Sequence, residues 1–187
     1  LYEGGIRVPG VIEWPAGIIE PRATSYPAAT MDIFPTLVEI LDLPEATLLQ
    51  PTDGISLVPL FKSEIGHRTQ PIPFRSRGRA ALIDNDYKLI TQDMTLGQYE
   101  LYHLDKDPKE TRDLSTIEPG VTDRLREALE QWNLSVVASI AGSDYLEGNV
   151  HPNELKPQFW MTYEAYKPYL EEWKHRPEYE TSIARGR

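Results

Sequence analysis

Three short runs with strand-like composition, at 79–83, 87–91 and 99–104, precede a strongly amphipathic helical run at 121–137, and this succession limits the fold more than any other feature of the chain. The runs are joined by the turn formers Asp84-Asn85-Asp86 and by a loop holding Gly97, so they can pair as an antiparallel meander. Within 121–137, Val121, Leu125, Ala128, Leu129, Trp132 and Val136 share one helical face, while Asp123, Arg124, Glu127 and Glu130 lie elsewhere. A sheet with one apolar face and a helix with one apolar stripe satisfy each other, which predicts a two-layer α+β unit.

The chain upstream has a different character. Val11 and Ile12, punctuated by Gly10 and Pro15, predict a short buried strand over 8–14, with Pro9 at its entrance or at a bulge. Ile33, Leu37, Ile40 and Leu41 form the apolar stripe of a helix over 32–42. Pro35 is tolerated only near a helix start, which makes Asp32 the expected N-cap. Thr52-Asp53-Gly54 signals a turn, followed by an apolar segment at 55–61 and a polar loop at 63–70. From Gly148 onward proline and aromatics dominate, among them Phe159, Trp160, Tyr163, Tyr166, Tyr169, Trp173 and Tyr179, and Pro168 predicts two brief helical pieces rather than one long helix.

Several function classes are disfavoured by composition. The net charge of −10 argues against non-specific nucleic-acid binding, which needs a basic surface to release counterions. With no cysteine, the chain has no disulfide, thiolate zinc site or cysteine nucleophile. His67, His103, His151 and His175 lack metal-ligand spacing, so no metal site is expected in this chain.

Four segments, in order, resemble the sulfatases of the alkaline-phosphatase superfamily. They are Tyr2-Glu3-Gly4-Gly5-Ile6-Arg7-Val8-Pro9 with Glu13-Trp14-Pro15; Met31-Asp32-Ile33-Phe34-Pro35-Thr36-Leu37; Asp53-Gly54-Ile55-Ser56-Leu57; and Tyr87-Lys88-Leu89-Ile90 with Glu100-Leu101-Tyr102-His103-Leu104 and Asp107-Pro108-Lys109-Glu110-Thr111. The resemblance implies an α/β fold class: residues 1–62 end a large catalytic α/β domain, 63–147 form a small α+β C-terminal subdomain of antiparallel sheet plus long helix, and 148–187 form an aromatic arm. It also implies hydrolysis of sulfate esters through a formylglycine nucleophile made from Cys or Ser in a Cys/Ser-x-Pro-x-Arg motif, with a calcium ion and with Lys and His around the sulfate. Ser25-Tyr26-Pro27-Ala28-Ala29 has Ala29 where that motif needs arginine, so it is rejected as the nucleophile. The family's late Lys and its calcium ligands fall before Glu-Gly-Gly, so nucleophile, catalytic residues and calcium are all expected upstream of Leu1, and the isolated chain is expected to be inert.

Site residues expected within the chain are therefore peripheral. Glu3, Gly4, Gly5 and Arg7 are expected to be structural neighbours of the site, the glycines for close approach or positive φ and the Glu3/Arg7 charges as a brace or as two separately solvated groups. Arg75, Arg77 and Arg79 would point to one side of an extended chain, and with His67 they are candidates to contact an anionic substrate; salt bridges across the meander are the competing role. The aromatic tail can likewise bind sugar rings or strap onto its own protein. The implied partners are a sulfated small molecule or glycan and the remaining N-terminal part of the sulfatase, with neither nucleic acid nor membrane, and the implied location is exported. A phosphodiester or phosphonate hydrolase of the same superfamily and a non-catalytic binding module are the alternatives.

Overall fold

A computed structural model describes residues 1–48, 50–144 and 164–180. They fall in two compact units, Leu1–Ser139 and Ile140–Arg187. Among the described residues no helix is long and apolar enough to cross a membrane.

The first unit is organised by a four-stranded antiparallel sheet of order β1-β2-β3-β4, comprising β1 (Ile72–Ser76), β2 (Arg79–Asp84), β3 (Tyr87–Thr91) and β4 (Glu100–His103). Three of these are the expected meander. The fourth, β1, was masked in the sequence by Pro71 and Pro73, and its place at the sheet edge is what makes a proline tolerable there. A two-residue turn, Arg77-Gly78, joins β1 to β2, with Arg77 in the left-handed region at φ 59°.

One sheet face presents Ala80, Leu82, Leu89 and Leu101 to a 22-residue helix, which packs Leu125 and Leu129 into that layer. Burying each leucine contributes roughly 1.5–3 kcal/mol, which makes this interface the main apolar core of the unit. This helix, α4, runs over Pro119–Ile140, somewhat longer than its apolar stripe requires. Asp113 ties the chain between β4 and this helix: its carboxylate accepts the Leu101 N–H at 2.9 Å, the Ser115 N–H at 2.8 Å and the Ser115 hydroxyl at 2.9 Å. Burial alone would raise the Asp113 pKa, but the bonds from Leu101 and Ser115 outweigh it and hold the group below its ordinary value of 3.8. A depressed folded-state pKa gives stability that is present above the unfolded value and lost as pH falls through the folded one. Asp113→Asn should therefore be less stable than the parent at neutral pH and lose less on acidification below pH ~4; parallel melting curves against pH for the two proteins would refute this.

The opposite sheet face, lined by Ala81, Ile90 and Tyr102, is covered by the start of the chain, where Leu1 packs and α1 (Glu3–Ile6) follows. Residues 7–14 carry no regular secondary structure, and Val11 is 93% exposed, so the expected buried strand is not formed. A strand needs a neighbour to share its backbone hydrogen bonds, and the four-stranded sheet of the described residues does not include 8–14.

The expected helix at 32–42 is present as α2 (Ile33–Ile40), entered through a 3-10 turn at Thr30–Asp32. Its apolar stripe is turned outward: Ile33, Phe34, Leu37 and Leu41 are exposed, while Pro35, Thr36 and Val38 are buried. The 55–61 segment closes this region with α3 (Val58–Lys62), whose Leu60 is buried along with the preceding Leu57.

In the second unit a 3-10 turn at Lys167–Tyr169 leads directly into α5 (Leu170–Trp173), with Pro168 inside the turn. The Trp173 ring stacks on Tyr169 at 5.5 Å and 17°, and Tyr166 and Tyr179 lie against it. Phe159, Trp160, Tyr163 and His151 lie outside the described residues.

Candidate functional site

Lys88 is the residue that organises the face opposite the long helix. Strand alternation puts it on the side of Ile90, across from Ile83 on β2 and Tyr102 on β4, and it is 0% exposed. An ammonium taken out of water costs several kcal/mol unless it is paired. Two carboxylates meet it: Glu3 Oε1 at 2.9 Å and Glu110 Oε1 at 2.8 Å. The first is a hydrogen bond, whereas the second is a charge contact without hydrogen-bond geometry.

The third side of this triangle is a backbone contact, since the Glu3 N–H donates to Glu110 Oε2 at 2.6 Å. Glu110 reaches that position from a left-handed backbone, φ 54°, in a turn folded around Asp107. The Asp107 carboxylate accepts the N–H groups of Thr111 and Arg112 and the Thr111 hydroxyl. These bonds, the one from Arg112 first, hold the Asp107 pKa below the usual carboxylate range. Three segments far apart in sequence, Glu3-Gly4-Gly5, Tyr87-Lys88 and Asp107-Pro108-Lys109-Glu110, are thus joined by one buried ion cluster.

Tyr2 fixes the same strip of chain from its other side. Its hydroxyl donates to Glu100 Oε2 at 2.6 Å, the Tyr102 hydroxyl donates to the same oxygen at 3.0 Å, and the two rings meet edge to face at 6.3 Å. Burial, and then the Glu100 carboxylate, pushes the Tyr102 hydroxyl far above its ordinary value, while for Tyr2 the bond to Glu100 is the leading cause of a rise. Both hydroxyls therefore stay protonated donors throughout the neutral range. Over this cluster opens a concavity of about 520 Å³ lined by Tyr2, Glu3, Gly4, Pro108, Lys109 and Glu110.

Gly4 and Gly5 sit in α1 without positive φ, and a Cβ at either would meet nothing within 4 Å. The expectation of positive φ is thereby corrected, because a helical turn does not ask for it. Glu3 pairs with Lys88 and forms no ion pair with Arg7, since the buried ammonium is the stronger claimant on a carboxylate that is itself largely withdrawn from water.

The arginine row is corrected as well. The turn at Arg77-Gly78 reverses the chain, so Arg75 lies opposite Ala80 on the helix-covered side while Arg79 lies opposite Ser76 on the Ala81 side. Arg77 occupies the turn between them, and all three residues are exposed. His67 is exposed beside the buried Arg68, and His103 rests its ring on Tyr87 at 4.8 Å.

Arg68 belongs to a second buried cluster that sequence reading missed. Its guanidinium makes two 2.8 Å hydrogen bonds to the two carboxylate oxygens of Asp32, with both side chains at most 1% exposed. Asp32 also accepts the N–H of Ala29 at 2.8 Å and of Ile55 at 2.9 Å, so its carboxylate serves these partners and not the helical amides expected of an N-cap. Gly54 is required beside it, because a Cβ there would stand 2.1 Å from the Met31 carbonyl oxygen. The Arg68 N–H donates to Asn85 Oδ1 at 2.7 Å, which ties the clamp to the β2-β3 turn.

Lys88 carried a signal that could have been used. In Tyr87-Lys88-Leu89-Ile90 both Leu89 and Ile90 are apolar, and neighbours of opposite orientation that are both apolar mean a strand buried on both faces. A lysine in such a strand must find carboxylates. Arg68 had no comparable signal within its polar loop.

As for calcium, among the described residues no group of three or more His, Cys, Asp or Glu side chains could hold a metal ion. The clustered carboxylates are already committed to Lys88, Arg68 or backbone amides, so these residues do not fit a calcium site.

The pattern of the family described as N-sulphoglucosamine sulphohydrolase, C-terminal, matches residues 1–134. Arylsulfatase A of Homo sapiens is 32% identical over 161 residues, covering 71% of this chain and 31% of that protein. Arylsulfatase D of Homo sapiens is 41% identical over 63 residues, covering 33% and 10%, and choline-sulfatase of Rhizobium meliloti is 25% identical over 190 residues, covering 95% and 34%. The crystal structure of Ps i-CgsB shares the fold with a TM-score of 0.50 at 19% identity, over 85% of this chain and 31% of that one. The chain thus spans about a third or less of the length of these curated relatives.

Proposed function

This chain belongs to the N-sulphoglucosamine sulphohydrolase C-terminal family of sulfatases, and from that premise we propose that it serves as the C-terminal portion of an enzyme that hydrolyses sulfate esters. In this reading residues 1–62 complete the catalytic α/β domain, 63–147 are the sheet-and-helix subdomain and 148–187 are an arm. The formylglycine nucleophile and calcium are supplied by residues other than these, and the isolated chain is inactive. The Gly4-Gly5 turn stands at the margin of the reacting centre, its position held by the subdomain behind it.

The observation that carries this reading is the convergence of the family segments. The first and last of them, spread over more than a hundred residues, close on one buried ion cluster at the Glu-Gly-Gly turn and fix that turn in place, while the two between them meet in the Arg68–Asp32 cluster. The outward apolar residues agree with it: Val8, Val11, Ile12 and Ile19, and Ile33, Phe34, Leu37 and Leu41 of α2, are large apolar side chains left exposed, four of them on one short helix. The rest of a catalytic domain is their natural cover.

The substrate class is a sulfated small molecule or glycan, and family membership alone does not choose between them. By the same resemblance the enzyme works outside the cytoplasm.

The test uses a longer protein that contains this chain together with a Cys/Ser-x-Pro-x-Arg segment. With calcium present it should release sulfate from 4-nitrophenyl sulfate, and the 187-residue chain alone should release none. Preferential cleavage of a phosphodiester or phosphonate ester, or sulfate release by the isolated chain, would overturn the reading.

A further inference from the structure

The turn that carries Gly4 and Gly5 is a poor helix by its own sequence. Its four residues, Glu3–Ile6, include two glycines, each roughly 1 kcal/mol worse than alanine in a helix, and one turn is too short to stand alone. Neither glycine touches anything through the position where a Cβ would be. What holds the turn is outside it: the Glu3 carboxylate on Lys88, the Glu3 N–H on Glu110, and Tyr2 on Glu100. Lys88 is the common element of the buried part, because it also neutralises the Glu110 carboxylate that receives the Glu3 amide.

We propose that Lys88 is a positioning residue for the sulfatase site: through Glu3 and Glu110 it sets where the Gly4-Gly5 turn stands and how the concavity between Tyr2 and Lys109 is shaped. The catalytic consequence rests on the function proposed above, whereas the positioning itself does not. Lys88 need not touch substrate. Without its ammonium, Glu3 and Glu110 become like charges facing each other in a buried space, and the short turn has every reason to swing outward and take its carboxylate to water. The sheet beneath has its own core on the far side, of Leu82, Leu89, Leu101, Leu125 and Leu129, which does not include that turn.

The experiment compares the parent protein with Lys88→Met, and with the triple variant Lys88→Met, Glu3→Gln, Glu110→Gln, which leaves no buried charge unpaired and keeps the measurement open if the single variant does not fold. Amide exchange of Gly5 and Arg7, whose N–H groups are bonded to Tyr2 and Glu3 carbonyl oxygens, should accelerate at least ~10-fold while the Leu89 and Leu101 amides keep their protection. In the full-length enzyme, kcat should fall at least ~10-fold at temperatures well below melting, with KM for 4-nitrophenyl sulfate changed less than about threefold. Unchanged exchange at Gly5 and Arg7 in the folded variants overturns the proposal. Accelerated exchange with unchanged kcat leaves the positioning role standing and instead removes the placement of this turn at the reacting centre.

Discussion

Arg68→Ala should destabilise the first unit by about 3–5 kcal/mol, because it leaves the Asp32 carboxylate charged, buried and without its cation. The two backbone amides of Ala29 and Ile55 would still donate to Asp32, but neither can replace a bidentate guanidinium. Arg68→Lys should recover only part of the loss, since an ammonium cannot span both carboxylate oxygens at once. The double variant Asp32→Asn, Arg68→Met should be closer to the parent than Arg68→Ala, as removing both charges abolishes the unpaired one. Urea denaturation of the set checks this: if Arg68→Ala lost less than about 1 kcal/mol, the pair would behave as an exposed surface contact and not as the clamp described here.

The second large effect concerns Gly54. A methyl group placed there would sit 2.1 Å from the Met31 carbonyl oxygen and 2.6 Å from its carbonyl carbon, so backbone and not a flexible side chain would have to move. Forced overpacking usually costs 1–3 kcal/mol, and this case should lie at or above about 3 kcal/mol because the moving backbone also carries the amide of Asp32. Its displacement would misplace the Asp32 carboxylate, the acceptor for the Ile55 N–H one residue beyond Gly54. Gly66→Ala is the matched control: a Cβ there meets nothing within 4 Å, and its midpoint should stay close to the parent's. Equal midpoints for Gly54→Ala and Gly66→Ala would refute the close approach.

Much of the fold could be read from pattern. The meander and the long helix were legible because a period-2 run and a period-3.6 run each state which side is apolar, and the two sides need each other. Strand β1 was not, since Pro71, Pro73 and the arginines conceal an edge strand. The stripe of α2 is legible in the sequence, yet the structure buries the other side of the helix, where Asp32, Thr36 and Val38 anchor it. Periodicity reports that a helix has an apolar side, not whether its cover lies in the same chain.

The site divides in the same way. The sequence by itself determined which segments matter, with Glu3-Gly4-Gly5, Asp53-Gly54 and Asp107-Pro108-Lys109-Glu110 standing out as turn chemistry and as family pattern, and it determined that an antiparallel sheet lies beneath a helix. Only the tertiary structure decided that Lys88 joins Glu3 to Glu110, that Arg68 joins Asp32, and that Arg75 and Arg79 end on opposite sides of a hairpin. The physical reason is range. Propensity and alternation are set by neighbours a few residues apart, whereas a buried ion pair is chosen by whichever opposite charges the finished fold leaves together out of water, here separated by 85 residues for Glu3 and Lys88 and by 36 for Asp32 and Arg68.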